Sequence, residues 1–255
     1  MKFTTGKILT SAIGNDKVIY IPEGFTHIDE YVFNENIDIE KVIMPTTVKN
    51  IGRYAFCNCP NLREVVFNNK IEQIDEGAFS KCNNIKKINI PGTIRNIGDY
   101  AFGDCYKLEK IIIENSGEET AIEYIGLGAF MGCVSLTNVE INKKVEDMGE
   151  GIFKNCKQLE KITFPYITEG YVPEKCFEAC TKLKHIKLSD NIDSVYKQAF
   201  AFCTNLQEIV LPKKIRNIGE RAFWGCYSLE KINLQQSIDF IGIEAFRGCN
   251  KLKNL

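Results

Sequence analysis

One sequence pattern, Ala-Phe-x-x-Cys, recurs with small changes along almost the whole chain and constrains the fold more than any other feature. Its phenylalanines are Phe33, Phe56, Phe79, Phe102, Phe130, Phe153, Phe177, Phe200, Phe223 and Phe246. Seven of the nine intervals between them are 23 residues, and the other two are 28 and 24 residues. A fixed period of 20 to 50 residues is typical of a solenoid. We therefore expect the 255 residues to form one elongated domain. Its stacked repeats should form a continuous core of Leu, Ile, Phe and Cys layers.

Positions within each repeat are numbered here as offsets from the series phenylalanine. Nine of the eleven cysteines stand at offset +3, from Cys59 to Cys249, and only the first repeat departs, with Asn36. Free cysteine is among the most buried residue types, so the pattern predicts small buried thiols. Some disulfides between neighbouring coils remain sterically conceivable, because equivalent positions lie about one strand spacing apart.

Apolar residues at offsets +9 and +11 alternate with polar or variable residues, which predicts a half-buried β-strand in each repeat. Apolar residues follow at +15 and +18, and Gly stands at +19 in six repeats. The segment around Ala-Phe has the length of one short helical turn. We predict an N-terminal cap with half a repeat over 1–30, with a hairpin formed by two β-prone runs, and about ten repeats over 31–255.

Composition excludes several functions. The net charge of −1 gives no field that would attract nucleic acid or an acidic membrane. No apolar run reaches the length of a membrane-spanning helix, and the N-terminus lacks the apolar core of a signal peptide. The expectation from the chain itself is a cytoplasmic location without a membrane span.

No catalytic, cofactor-binding or metal-binding constellation is recognisable, and we expect a protein that is not an enzyme. His27 and His185 are far apart in the sequence and have no cysteine partner at the spacing of a zinc site. No phosphate-binding glycine loop or nucleophile elbow is present. Cys57, directly after a series phenylalanine, is the best candidate for a reactive thiol.

The run Ile88-Asn89-Ile90-Pro91, continued by Ile97-Gly98 and Ala101-Phe102-Gly103-Asp104-Cys105, resembles the BspA-like (Treponema pallidum type) leucine-rich repeat. The resemblance covers about residues 19–255. It implies an α/β solenoid: a curved, right-handed leucine-rich repeat with a parallel β-sheet on the concave face and short helical turns on the convex side. Members of the family typically bind proteins, and some are surface proteins connected with adhesion, which makes a surface or secreted location the second expectation.

Strand alternation assigns offsets +8 and +10 to the exposed concave side and predicts a partner-binding surface there. The predicted binding residues are Lys41, Ile43, Glu64, Val66, Lys87, Asn89, Lys110, Ile112, Lys161, Thr163, His185, Lys187, Glu208, Val210, Lys231 and Asn233. Their basic bias favours a protein partner with acidic groups. The alternative interpretation is a solvated sheet face, with glutamates at +7 offsetting the lysine charge.

Two irregular stretches interrupt the repeat. The stretch 114–121 lengthens one repeat, which predicts either a binding loop or a tolerated surface loop. In the stretch 166–176, Pro173 replaces Gly and Cys176 replaces Ala, which predicts a local change of curvature. Three apolar side chains just after the phenylalanines, Met131, Phe202 and Trp224, are candidates for exposure or for burial against a neighbouring coil.

A second functional class also fits the sequence. The stretch Lys251 to Leu255 is predicted to lie within a strand, which would leave an open sheet edge at that end of the solenoid. Open edges pair with other chains, so the alternative function is a structural or self-assembling element.

Overall fold

A computed structural model describes residues 2–3, 8–9, 12–115, 117 and 120–253. The chain forms a solenoid in which each coil contributes one strand to each of two parallel ladders. The first ladder contains the predicted strands at offsets +8 to +11. Its strands are β4 (Val18–Tyr20), β6 (Lys41–Ile43), β8 (Glu64–Val66), β10 (Lys87–Ile90), β12 (Lys110–Ile113), β14 (Asn138–Ile141), β16 (Lys161–Thr163), β18 (His185–Lys187), β20 (Glu208–Val210) and β22 (Lys231–Ile232).

The second ladder was not predicted as strands from the sequence. It consists of β2 (Ile8–Leu9), β5 (His27–Ile28), β7 (Asn50–Ile51), β9 (Gln73–Ile74), β11 (Asn96–Ile97), β13 (Ile122–Ile125), β15 (Val145–Met148), β17 (Tyr171–Val172), β19 (Ser194–Val195), β21 (Asn217–Ile218) and β23 (Phe240–Ile241). Most of these strands have two residues, too few for an alternating hydrophobic pattern to appear. The apolar residues at offset +18, such as Ile97, are the buried members of these pairs.

Equivalent residues of successive repeats lie opposite one another in both ladders. Ile88 lies opposite Ile111, which lies opposite Val139 and then Ile162, so offset +9 forms one apolar column. In the second ladder Ile51, Ile74 and Ile97 are aligned in the same way. A parallel sheet in this register stacks equal side chains on one another, which is why a strict repeat buries a continuous core.

The predicted short helical turns are wrong, because no helix occurs in the described part of the chain. The Ala-Phe segment instead holds two left-handed residues per repeat, at offsets −2 and +2, such as Tyr54 (φ 53°) and Asn58 (φ 54°). Left-handed residues interrupt a right-handed helix. The amide of Phe56 therefore donates to the carbonyl of Ala78 in the next coil (2.8 Å) rather than within its own turn.

The Ala-Phe turns of successive coils form a third hydrogen-bonded stack, in which the amides donate in the opposite direction. In the second ladder the amide of Gly52 donates back to Ile28 of the preceding coil (2.8 Å). In the turn the amides of Tyr54 and Phe56 donate forward to the following coil. Each coil thus donates main-chain hydrogen bonds both to the preceding coil and to the following coil.

The phenylalanine series is the centre of the core, as predicted. From Phe33 to Phe223 the rings are buried, and Phe246 is partly buried. Neighbouring rings stack nearly parallel with centroids 4.8 to 5.7 Å apart. The offset +3 cysteines lie beside this stack and are free thiols. The interpretation as small buried thiols is confirmed for all but Cys249, which is partly buried.

The predicted N-terminal hairpin is not observed among the described residues. β3 (Ala12–Ile13) pairs antiparallel with β1 (Lys2–Phe3). β4 instead pairs parallel with β6, and β2 pairs parallel with β5. The N-terminal strands thus already take part in both ladders, because each finds an apolar column to extend. The division into a cap over 1–30 and an array over 31–255 stays a prediction.

Candidate functional site

The side chains at offsets +8 and +10 of the first ladder form one continuous outer surface, which we call the front face. None of the sixteen predicted binding residues is buried, whereas the intervening offset +9 residues such as Val42 and Ile88 are. The apolar members of the front face include Val66 (37% exposed) and Val210 (54% exposed). The structure thus brings the predicted residues together in two adjacent columns.

Part of the positive charge on the front face is neutralised within it. Lys41 forms an ion pair with Glu64 on the next strand (2.9 Å), and Lys110 pairs with Glu140 (2.8 Å). Hydrogen bonds from Lys110 and Asn138 lower the pKa of the Glu140 carboxyl below its usual value. Exposed pairs of this kind contribute little stability, so their main effect is to remove these charges from the surface available to a partner.

The offset +7 glutamates do not neutralise the lysines beside them in the sequence. Glu40 pairs with Lys17 (2.9 Å), and Glu109 pairs with Lys86 (3.9 Å), along the offset +7 column itself. Successive side chains of a strand point to opposite faces, so sequence neighbours are poor partners. Among the described residues, Lys87, Lys161, Lys187 and Lys231 of the front face form no ion pair.

The first ladder is interrupted at two places. It consists of three separate sheets, β4-β6-β8, β10-β12-β14-β16 and β18-β20-β22. Cα atoms of β16 and β18 still approach within 8 Å, and so do those of β8 and β10. No strand pairing joins either couple of described strands. Between the described strands β4 to β22, the main chain of the front face is therefore open at these two positions.

A groove lies over each interruption. The first groove, between β8 and β10, has a volume of about 460 Å³ and is lined by Glu64, Val66, Lys87 and Asn89 among others. The second groove, between β16 and β18, has about 650 Å³ and is lined by Lys161, His185, Lys187, Glu208 and Val210 among others. Nine of the predicted binding residues line these two grooves. No sequence signal marks either one, since a missing pairing is a property of neighbouring coils.

The second ladder is interrupted once, beside the irregular stretch 166–176. β15 is not joined to β17 by a strand pair, and a single bridge connects Val145 with Ile167. The interval from Phe153 to Phe177 is 24 residues, one more than the usual period. The irregular stretch thus marks an interruption of the stack, while its effect on curvature stays a prediction.

The stretch 114–121 is described except for residues 116, 118 and 119. Beside it lies the side chain of Lys143, which is 8% exposed although charged. Its Nζ donates to the carbonyl of Gly92 (2.6 Å) and to Oγ1 of Thr120 (3.2 Å). Lys143 therefore connects the end of the insertion to the body of the solenoid.

The three candidate apolar side chains are all partly buried. The rings of Phe202 and Trp224 are 4.6 Å apart and tilted by 51°, so they form one patch. The guanidinium of Arg221 covers the Trp224 ring at 5.3 Å. Met131 lies in another coil and is not part of this patch.

Cys57 does not have the surroundings of a reactive thiol. It is half-buried, and this burial raises its pKa above the usual value, which opposes formation of the thiolate. His27 is exposed and lies against the hydroxyl of Thr26 (2.8 Å), and His185 lies in the second groove. Over the described residues no group of three or more His, Cys, Asp or Glu side chains is arranged to hold a metal ion.

The repeated sequence matches a known protein family. The family model described as BspA type Leucine rich repeat region matches residues 13–121 and 123–253 in six copies. The chain belongs to the BspA-type leucine-rich repeat family. Leucine-rich repeat proteins are generally interaction or adhesion modules, a scaffold type not usually associated with catalysis.

Solved structures support the same fold. The leucine-rich repeat protein TpLRR of T. pallidum is 23% identical, with a TM-score of 0.53, over 87% of this chain and 82% of that one. The pneumococcal vaccine antigen PcpA is 17% identical, with a TM-score of 0.54, over 98% and 83% of the two chains. The comparison with curated proteins finds no match. Within the described ranges, the structure contains no helix suited in length and hydropathy to crossing a membrane.

Proposed function

We propose that this leucine-rich repeat protein is a non-catalytic binding module that takes a protein partner on its front face. The observation that supports this most directly is that the side chains at offsets +8 and +10 are exposed or half-buried in every strand of the first ladder. A partner with acidic groups fits the face best, because Lys87, Lys161 and Lys187 carry charges without an ion pair among the described residues. Opposite charge across an interface raises the association rate and the specificity.

The test compares two variants with equal charge change. Partners are captured by cross-linking from the source cells, identified by mass spectrometry, and measured individually with the purified chain. Lys87→Glu combined with Lys161→Glu changes the front face, and Lys213→Glu combined with Lys214→Glu changes exposed lysines outside it. We expect the first variant to weaken binding at least about tenfold and the second to leave it unchanged. Equal binding of both variants would contradict the front face as the binding surface.

The setting that we propose for this interaction is a cell surface, with adhesion as the process served. The support is the shared fold of PcpA, which is described as a vaccine antigen. Antibody labelling of intact cells, compared with labelling of permeabilised cells, tests this setting. Labelling that appears only after permeabilisation would contradict it.

A second candidate function, self-association, is supported by two exposed apolar side chains in and beside β23. Phe240 is 56% exposed and Ile243 is 76% exposed. In the preceding coil the same positions hold the polar residues Asn217 and Glu220. We expect Phe240→Ser combined with Ile243→Ser to abolish any concentration-dependent increase of mass in light scattering. A wild-type chain that stays monomeric over the whole concentration range would exclude this function.

A further inference from the structure

We infer that the second groove is the place on the front face where a partner protein inserts an extended segment carrying a carboxylate next to a large apolar side chain. The inference rests on the proposed function and assigns a position and a chemistry to it. It follows from the main chain beside β16 and β18, from the apolar side chains that line the groove, and from the charges around it.

The main chain supplies unpaired hydrogen-bonding groups in the groove. On one side of it the amide of Glu160 donates to the carbonyl of Thr137 (3.1 Å), and on the other side the amide of Gln207 donates to the carbonyl of Lys184 (3.0 Å). The corresponding bond from the Lys184 amide to the Glu160 carbonyl is not formed, and no other described residue accepts from that amide. A main-chain amide without an acceptor, on a residue that lines the groove, is a donor suited to a carboxylate oxygen.

The groove also offers apolar contact. Ile162 of β16 is partly buried although other offset +9 residues, such as Ile111 and Val139, are fully buried. Val210, on the far side of the groove, is 54% exposed. A volume of about 650 Å³ is within the range of pockets that enclose ligand groups. A large apolar side chain would cover Ile162 and Val210 and remove both from water.

The charges around the groove favour an acidic segment. Lys161, Lys184 and Lys187 line it, and none of them has an ion-pair partner in the described part of the chain. Glu160 and Glu208 also line it, so the charge of the three lysines exceeds that of the carboxylates by one. A single carboxylate between Lys161 and Lys187 would neutralise this excess positive charge, whereas a basic segment would meet three like charges.

The first groove lacks this combination. Arg63 and Lys86 at its edge already pair with Glu40 (3.6 Å) and Glu109 (3.9 Å). Glu64 pairs with Lys41 (2.9 Å), which leaves Lys87 as the lysine there without an ion pair among the described residues. The two grooves thus share an open main chain and differ in available positive charge, which makes the first groove a matched control.

The experiment selects short random peptides displayed on phage against the full chain and then measures the enriched peptides by fluorescence polarisation. We expect sequences with Asp or Glu next to Phe, Trp or Leu. Lys161→Glu combined with Lys187→Glu should weaken their binding at least about tenfold. Lys86→Glu combined with Lys87→Glu, with the same charge change in the first groove, should leave it unchanged. Val210→Ser, which keeps every charge, should weaken it by about threefold to tenfold.

Other results overturn the inference. Binding lost in the first-groove variant and kept in the second-groove variant would place the site elsewhere on the front face and leave the proposed function intact. Enriched peptides without acidic residues, or peptides insensitive to both variants, would exclude this groove as an acidic-segment site. Binding of a sulfated polysaccharide that depends on Lys161 and Lys187, with no peptide enriched, would assign the groove to a carbohydrate. Circular dichroism of each variant verifies that the fold is intact.

Discussion

The thiol of Cys105 donates a hydrogen bond to the carbonyl oxygen of Phe79 in the preceding coil, with Sγ 3.1 Å from the oxygen. The same bond is made by every offset +3 cysteine, from Cys59 to Phe33 (3.0 Å) through Cys249 to Phe223 (3.2 Å). It accounts for the exception in the first repeat, since no member of the phenylalanine series precedes Phe33. Asn36 stands there and accepts from the amides of Asp38 and Ile39 instead.

Removing one thiol should therefore be costly in an interior coil. We expect Cys105→Ala to lower the free energy of unfolding by about 1–3 kcal/mol, because a buried sulfur and a donor to a buried carbonyl are both lost. Cys57→Ala is the matched control, since that half-buried thiol is not part of the column. It should change stability by less than about 0.5 kcal/mol. Equal effects in urea denaturation under reducing conditions would contradict the role of the bond.

The buried thiols should make the protein sensitive to alkali. Burial raises the pKa of Cys105 from 9.0 to about 12. Above pH 9 the unfolded chain loses this proton and the folded chain keeps it, so the stability contributed by the neutral thiol is present below pH 9 and is lost as the pH rises towards 12. For each such thiol, the free energy of unfolding falls by up to about 1.4 kcal/mol per pH unit in this range.

Urea denaturation at several pH values between about 8 and 11 measures this slope. Cys105→Ala should decrease the slope of stability against pH by the equivalent of up to about one bound proton, while Cys57→Ala should decrease it less. Lysines and tyrosines titrate in the wild type and in both variants, so the difference between the slopes belongs to the thiols. A Cys105→Ala slope as steep as that of the wild type would contradict the prediction.

The phenylalanine stack predicts a difference between interior and terminal coils. The Phe102 ring lies between Phe79 (5.4 Å) and Phe130 (5.5 Å) and is fully buried. Phe102→Ala should lower the free energy of unfolding by about 3–5 kcal/mol. Phe246 stacks on Phe223 (5.3 Å) and is partly buried, so Phe246→Ala should cost clearly less. Similar urea midpoints for the two variants would contradict a continuous core.

Glycine at offset +19 should be required because of the close approach between coils. A Cβ on Gly98 would lie 2.5 Å from the amide nitrogen of Glu76, which is main chain and cannot rotate away. We expect Gly98→Ala to cost about 2–4 kcal/mol by forcing the coils apart. Gly103→Ala is the control, because its equivalents Ala201 and Trp224 carry side chains at the same offset. Thermal denaturation should separate the two variants, and a neutral Gly98→Ala would refute the argument.

The insertion should depend on Lys143 for its attachment. Lys143→Met keeps the apolar stem and removes the Nζ that donates to Gly92 and Thr120. We expect a loss of about 1–3 kcal/mol and faster proteolysis within 114–121. Lys144→Met, which changes an exposed neighbour, should leave both unchanged. An unaltered proteolysis rate in Lys143→Met would show that the insertion is attached by other contacts.

The repeat, the core and the outward-facing columns follow from the order of the residues alone. Offsets 0, +3, +9 and +11 are apolar or Cys in nearly every coil, and a parallel stack in constant register must bury them together. The spacing of these residues therefore predicted Phe102, Cys105 and Ile111 as core, and Lys110 and Ile112 as surface. Periodicity carries this information because every coil repeats the same environment.

The second ladder, the form of the turn and the grooves depend instead on how the coils pack against one another. Two-residue strands such as Asn96–Ile97 are too short to show alternation. The left-handed positions hold residues as different as Gly77, Tyr54 and Lys175, so their residue types do not reveal the turn that replaces the expected helix. Contacts between coils produce the openings beside β8 and β16. They also determine which lysines form an ion pair with a glutamate. The residues of a single coil do not predict these openings or ion pairs, because both depend on the distance between one coil and the next.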